Sequence, residues 1–285
     1  MHYTNEFSPP ASLFPYGKEP RIGEVTFVDY RYLRLPRVMH KHDDRSEILY
    51  VVSGSATHVI NGKTYQIEPQ DLVVYNAGVL HDEYIDATED MKVYCIAIHD
   101  LHLPDLAPNR LLSDDREPVI KTGKNAAMVE DLCSHIFAMT ATGSQEANRI
   151  AHYLMLALVS FVQFQPVEHL ESRDKEAASA GRQIKKWLDR HYTEEVSLQK
   201  ISEDLFLSPF YISRAFKSYS GYSPIQYVTR RRIGEAQSLL RETDHSILDI
   251  AFKVGYNSNS LFTRTFNNLV GCSPLEYRNS TKETE

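Results

Sequence analysis

A chain of 285 residues with 42% hydrophobic and 24% charged side chains is too long for one ordinary domain, so two or three soluble domains are expected. The three cysteines (Cys95, Cys133, Cys272) are widely separated and odd in number, which excludes a disulfide framework or a zinc motif and points to a reducing, cytoplasmic setting. The formal net charge of −7 argues against a nucleic-acid partner, yet it is unevenly spread: residues 181–285 hold 15 Lys/Arg against 12 Asp/Glu, the other 180 hold 16 against 26. DNA binding is therefore compatible with the C-terminal part only.

The first twenty residues lack a basic stretch followed by an apolar core, so no secretory leader is expected. Residues 21–100 read as short strands. Residues 47–52 form an apolar run, Asn61-Gly62 is a hairpin signal between 55–60 and 63–68, and 72–75 and 92–98 are further β-rich runs. After Pro104 and Pro108 the period changes to helical, with Met128, Val129, Leu132, Ile136 and Met139 on one face. A second helix starts near Ser144 and carries Ile150, Tyr153, Leu154, Ala157, Leu158, Phe161 and Val162. Its apolar surface is wide enough either to pack on the β domain or to pair with a second copy. The longest apolar stretch, Tyr153 to Phe164, contains Ser160 and Gln163 and is too short to span a bilayer, so no membrane contact is expected. Pro166 ends this helix, residues 167–180 read as a linker, and the rest of the chain is helical.

That last part repeats itself. SPFYISRAFKSYSGYSPIQY from Ser208 and SNSLFTRTFNNLVGCSPLEY from Ser258 share seven of twenty positions at an offset of fifty. Each copy reads as the second helix of a helix-turn-helix, with Ser208 and Ser258 as N-caps and Gly221 and Gly271 as stops. A short apolar helix precedes each, over 198–205 and 247–254. Gly255 suits the second turn, whereas Phe206 stands in the first, where a left-handed residue is costly, so a different turn geometry is expected there. Ile212, Ala215 and Phe216 form one buried stripe, leaving Phe210, Ser213 and Arg214 outward. Phe262, Thr265 and Phe266 form the other, leaving Asn259, Ser260, Thr263 and Arg264. Arginine can bond guanine twice and asparagine adenine twice, so the outward residues suit base readout. Between the units, 225–240 reads as a rigid connecting helix. Its Arg230-Arg231-Arg232 run serves either internal ion pairs or phosphates.

With LSPFYISRAFKSYSGYSPIQYVTRRRI, RRIGEAQSLL and IAFKVGYNSNSLFTRTFNNLVGCSPLEYR, residues 181–280 resemble the AraC/XylS transcription regulators. The resemblance implies two subdomains that place recognition helices in successive major-groove segments of double-stranded DNA. It also implies that Phe210, Ser213, Arg214, Asn259, Ser260, Thr263 and Arg264 occupy base-facing positions. Activation is the commoner sign of regulation in that family.

In the N-terminal part, His40-x-His42, Glu47 and Gly54, followed by Gly78-Val-Leu-His81, resemble the two motifs of the cupin fold, with Gln70 and Asn76 departing from the second. His40, His42, Glu47 and His81 could line an effector pocket, ligate a divalent transition metal, or serve as structural side chains. Tyr50 and Tyr84, with His58 and Tyr75, are added as candidate contacts for a sugar. The expected architecture is multidomain: an all-β cupin-like barrel over 1–105, a helical dimerisation or packing segment over 106–166, a linker over 167–180, and an all-α DNA-binding domain over 181–285. The expected function is a non-enzymatic, homodimeric transcription regulator with no membrane partner, controlled by a small polar effector of carbohydrate type. A metal-dependent cupin enzyme with an appended helical domain is the alternative, and it leaves the tandem repeat unexplained.

Overall fold

The computed structural model describes residues 13–14, 19–32, 37–165 and 175–282. The N-terminal part holds eight described strands: β1 (Arg21–Asp29), β2 (Arg45–Ser53), β3 (Ala56–Ile60), β4 (Lys63–Ile67), β5 (Asp71–Tyr75), β6 (His81–Ile85), β7 (Lys92–His99) and β8 (Val119–Lys121). They pair antiparallel into a five-stranded sheet, β1-β7-β2-β5-β8, and a three-stranded sheet, β4-β3-β6. Asn61 and Gly62 have φ of 50° and 82°, and Ile60 pairs with Lys63, so this dipeptide makes the two-residue hairpin its sequence signals.

Alternation along β2 sorts its side chains between two cores. Leu49 and Val51 join Ile60, Ile67, Val73 and Tyr75 between the sheets, while Ile48 and Tyr50 point the other way. The second group is covered by α1 (Ala126–Ala141) and α2 (Gln145–Gln163), which contribute Val129, Cys133, Ile136, Met155, Leu158, Val159 and Val162. Ser144 caps α2 by accepting from the Ala147 amide at 3.1 Å. The β sheet reaches past residue 105, because β8 pairs with β5 through Leu72↔Ile120. Pro166 and most of the stretch read as a linker lie outside the described residues.

The C-terminal part is built from α3 (Lys175–His191), α4 (Leu198–Leu205), α5 (Pro209–Ser220), α6 (Pro224–Glu242), α7 (Ile247–Lys253), α8 (Asn259–Val270) and α9 (Pro274–Lys282). α3 therefore begins inside the segment expected to be linker. Gly221 and Gly271 close α5 and α8 with φ of 74° and 88°. The expectation of a different geometry at the first turn is wrong. Phe206 adopts the left-handed conformation, φ 55° and ψ 36°, as the C-cap of α4. Its ring projects into solvent, 92% exposed, so burial contributes little against that strain.

The two parts share a core. Val38, Met39 and Leu80 pack with the helical residues Ile212, Phe216, Ile233 and Tyr227. One stripe of α6 faces the β domain, at positions 230, 234, 237 and 241, the spacing of one helix face. Gly234 gives the closest approach: a Cβ there would lie 1.8 Å from the Met39 carbonyl oxygen. Gln237 accepts from the Val38 amide at 2.8 Å.

Candidate nucleic-acid interface and ligand pocket

The outer faces of α5 and α8 form the first site. Serine caps start both helices: Ser208 accepts from the Tyr211 amide at 3.2 Å and Ser258 from the Leu261 amide at 3.3 Å. Ile212, Ala215 and Phe216 are buried, as are Phe262 and Phe266, and these anchors set the rotation of each helix. Thr265, expected to be buried, is half-buried, because it lines an open cleft with Thr229 and Arg232. The rotation leaves Arg214, Asn259, Ser260 and Arg264 exposed and Ser213 and Thr263 half-buried. Phe210 is 76% exposed, an apolar surface at the start of α5. Among the described residues neither Arg214 nor Arg264 has an acidic partner. Tyr211 and Leu261, fifty apart and both exposed, also stand on these faces. The repeat contains that pair, but their dissimilar side chains hide it from a search for identities.

The arginine run on α6 is engaged within the protein. Arg230 binds the Asp82 carboxylate, and Arg231 lies 3.4 Å from Asp189 and over the Tyr192 ring. Arg232 donates to the Tyr192 and Glu194 carbonyls. Of the two roles open for this run, internal pairing is the one the geometry shows.

The second site is a cavity of about 290 Å³ at the mouth of the β domain, a size at the small end of ligand pockets. His40 and His81 are joined by a pair of backbone hydrogen bonds at 2.8 Å, which brings the two motifs together. The three imidazoles of His40, His42 and His81 offer ligand atoms within 4.8 Å of one another. Burial chiefly holds all three below their ordinary pKa, with His81 adding for His40; for His42 the cations Arg37 and Arg45 add, bringing it to about 2. The rings are therefore neutral. Nδ1 of His40 lies 3.2 Å from the Val38 carbonyl and Nδ1 of His81 lies 3.0 Å from that of Val79. A neutral ring bonded this way carries its proton on Nδ1, which leaves the Nε2 lone pair free.

Glu47 Oε1 sits 3.3 Å from His42 Nε2, and Glu47 Oε2 sits 4.0 Å from His81 Nε2. His81 Nε2 is buried, makes no hydrogen bond, and is 3.6 Å from Glu83. Neutral imidazoles, carboxylates and an orphaned nitrogen are a donor set that fits a divalent transition metal. Arg45 lies 3.3 Å from His42 Nε2 and competes for that lone pair.

The tyrosines divide. Tyr75 stacks on His81, with ring centroids 4.1 Å apart, and its hydroxyl meets His58 Nδ1 at 2.7 Å. Tyr50 is not in the pocket. It lies three residues from Glu47 on one strand, hence on the opposite face, with its hydroxyl toward Ala126 and Glu130. The side chain of Tyr84 lies outside the described residues. Sequence reasoning missed Glu83, two residues from His81 and so on its face of β6. It also missed Arg37, Arg45, Cys95 and, from the helical part, Arg241. Burial pushes the Cys95 thiol well up, with Glu47 and Glu83 adding to the shift.

Residues 201–280 match the family model described as a helix-turn-helix domain, and residues 36–97 match that described as a cupin domain. The chain is similar to the HTH-type transcriptional regulator YdiP of Escherichia coli, 28% identical over 95% of this chain and 90% of that protein. It is also similar to the HTH-type transcriptional activator RhaS of Mannheimia succiniciproducens, 26% identical over 84% of this chain and 88% of RhaS. Among solved structures, the C-terminal domain of AraT, a response regulator from Geobacillus stearothermophilus, is 33% identical. That likeness spans 38% of this chain and 88% of the domain, with a TM-score of 0.35.

Proposed function

The chain belongs to the AraC/XylS family of DNA-binding transcription regulators, and from that premise we propose that a small polar effector, a sugar or related metabolite, controls its binding to specific DNA from the β domain. One observation carries the proposal: α6 joins both helix-turn-helix units and lays its opposite stripe against the β domain, ending at the ligand pocket. A ligand that prefers one arrangement of pocket and helix shifts the arrangement of the recognition helices by that preference. Arg214 and Arg264, equivalent in the repeat and both exposed, are the leading base contacts, supported by Phe210, Ser213, Asn259, Ser260 and Thr263. The sign proposed is activation, and the location the cytoplasm.

Ile150, Tyr153 and Phe164 leave an apolar stripe exposed along α2, and a second copy of the chain is the proposed occupant. The role proposed for the imidazole cluster is recognition rather than turnover. A metal held by His40, His42, Glu47 and His81 would supply a Lewis-acidic anchor for the effector's hydroxyl oxygens.

Selection of the full chain on random DNA, followed by footprinting with and without candidate sugars, tests the reading. Two half-sites about 10 base pairs apart are expected, as two recognition helices on one face of the duplex require. A selected pool that remains random, or footprints indifferent to every sugar and sugar derivative tried, would sink it.

A further inference from the structure

The ligand pocket is bordered on one side by the DNA-binding half of the protein. Arg241, in the last turn of α6, lines it together with Arg37, Arg45, His42, Glu47 and Glu83 of the β domain. These charges are unequally satisfied. Arg45 donates to Glu47 at 3.0 Å and to Asp44 at 3.3 Å, Glu47 also faces His42, and Glu83 faces His81. The inner end of the pocket is thus partnered, Arg45 by Glu47 and each carboxylate by a neighbouring ring.

The end beside α6 differs. Arg37 is half-buried, and its one described hydrogen bond runs to the Ser238 hydroxyl at 3.2 Å. Among the described residues Arg241 pairs with its own neighbour, the exposed Glu242, at 3.2 Å. Burial first, and then the charge of Arg241, draw Arg37 below its ordinary pKa. Two guanidiniums from separate domains therefore converge, and although Glu47 and Tyr277 act favourably on Arg37, among the described residues no ion pair joins either guanidinium to a carboxylate of the pocket. Withdrawing such groups from water is unfavourable without a counter-charge, and a guanidinium presents a fork of donors that matches carboxylate and phosphate oxygens.

We propose that Arg37 and Arg241 are the anion-binding end of this pocket, and that its ligand is a hydroxylated acid, a sugar acid or sugar phosphate, whose acidic group is held between the two domains. Its hydroxyls face the imidazoles and carboxylates of the inner end. The proposal rests on reading the pocket as the effector site. It also gives the effector a physical means of acting, because only the docked arrangement brings both arginines to one anion.

Isothermal titration of the full chain with gluconate, glucose 6-phosphate and glucose, at fixed ionic strength and with sodium chloride as control, tests it. Both acids bind, the tighter one identifying carboxylate or phosphate as the preferred group, and glucose binds at least about tenfold more weakly, as expected for a lost charge-assisted pair. Arg241→Ala loses that preference, and Arg241→Lys and Arg37→Lys keep part of it. Unliganded melting temperatures close to that of the parent protein confirm that each variant is folded. Equal binding of glucose, no binding of either acid, or an unchanged preference in folded Arg241→Ala overturns the proposal. Footprints are read separately: an acid that binds through Arg241 without altering DNA occupancy sinks the effector reading and leaves the anion site standing.

Discussion

Asp82 and Arg230, 148 residues apart, form a two-pronged ion pair across the junction between the β domain and α6. Arg230 Nη2 meets Asp82 Oδ1 at 2.9 Å, Nε bonds the other oxygen, and the Tyr222 hydroxyl donates to that oxygen at 2.9 Å. The Asp82 side chain is 0% exposed. On β6 it alternates with His81, so neighbouring residues face the ligand pocket and the DNA-binding half. Asp82→Asn leaves Arg230 half-buried without a counter-charge and is expected to destabilise the docked state by roughly 3 kcal/mol. The melt of the variant should separate into two transitions, and Arg230→Met added to it should recover part of the loss. A single transition at the parent temperature would show that the pair is ornamental.

Gly234 gives a sharper test of the same junction because two effects oppose each other. Alanine in a helix interior is ordinarily about 1 kcal/mol better than glycine. Here the added Cβ would meet the Met39 carbonyl oxygen at 1.8 Å, a backbone atom with no rotamer to yield. Gly234→Ala is expected to lower the stability of the full chain despite the gain in propensity, and to abolish the footprint's response to effector. A stabilised variant would mean that the domains do not dock as described.

Much of the DNA-binding half was legible because its signals are local: serine caps, stop glycines and a fifty-residue repeat. The cupin-like pocket was legible in part, since His40, His42, Glu47 and His81 do converge. Tyr50 was misplaced against a rule visible in the sequence, for residues three apart on a strand cannot share a face. Arg37 and Arg241 could not be paired from sequence, because nothing local reports that a helix between two DNA-reading units reaches back to a pocket 204 positions earlier. Phe206 failed for the opposite reason. Local preference argued against the left-handed conformation, and the tertiary demands of the turn overrode it.

The buried imidazoles predict sensitivity to acid. Burial first, with His81 adding, lowers His58 to about 3, and burial, Arg37 and Arg45 lower His42 to about 2. Unfolded histidine titrates near about 6.5. Between those values the unfolded chain binds protons that the folded one refuses, so stability is complete above that unfolded value and falls as the pH drops toward the folded ones. Urea midpoints should therefore fall between about pH 7.5 and about pH 5.5. A midpoint unchanged over that interval would show that these rings do not stay neutral in the folded protein.

Tyr153 stands 62% exposed in the apolar stripe of α2. Placing a charge there should oppose burial against a second copy while leaving the core-facing Met155, Leu158 and Val162 untouched. Tyr153→Asp is expected to sediment as a monomer at concentrations where the parent is a dimer. A parent that is already monomeric, or a variant dimer of unaltered affinity, would direct attention away from this face.

Arg264 decides whether α8 reads bases. It is exposed on the face set by Phe262 and Phe266, fifty residues from Arg214, with Asn259 and Ser260 at the start of the same helix. If its guanidinium reaches a guanine, Arg264→Ala should cost about 1–3 kcal/mol on the selected site and relax the base preference at one position, with little change on random DNA. If it serves a phosphate, the loss should be equal on both, and the salt dependence should become shallower by about one counterion. Arg214→Ala separates the two units further. Beside it stand Pro209 and the exposed Phe210, where α8 has Asn259 and Ser260, so α5 has fewer polar groups to discriminate bases. Arg214→Ala should accordingly weaken affinity while relaxing sequence preference less than Arg264→Ala. The reverse order, measured by repeating the random-DNA selection with each variant, would assign the finer reading to the first unit.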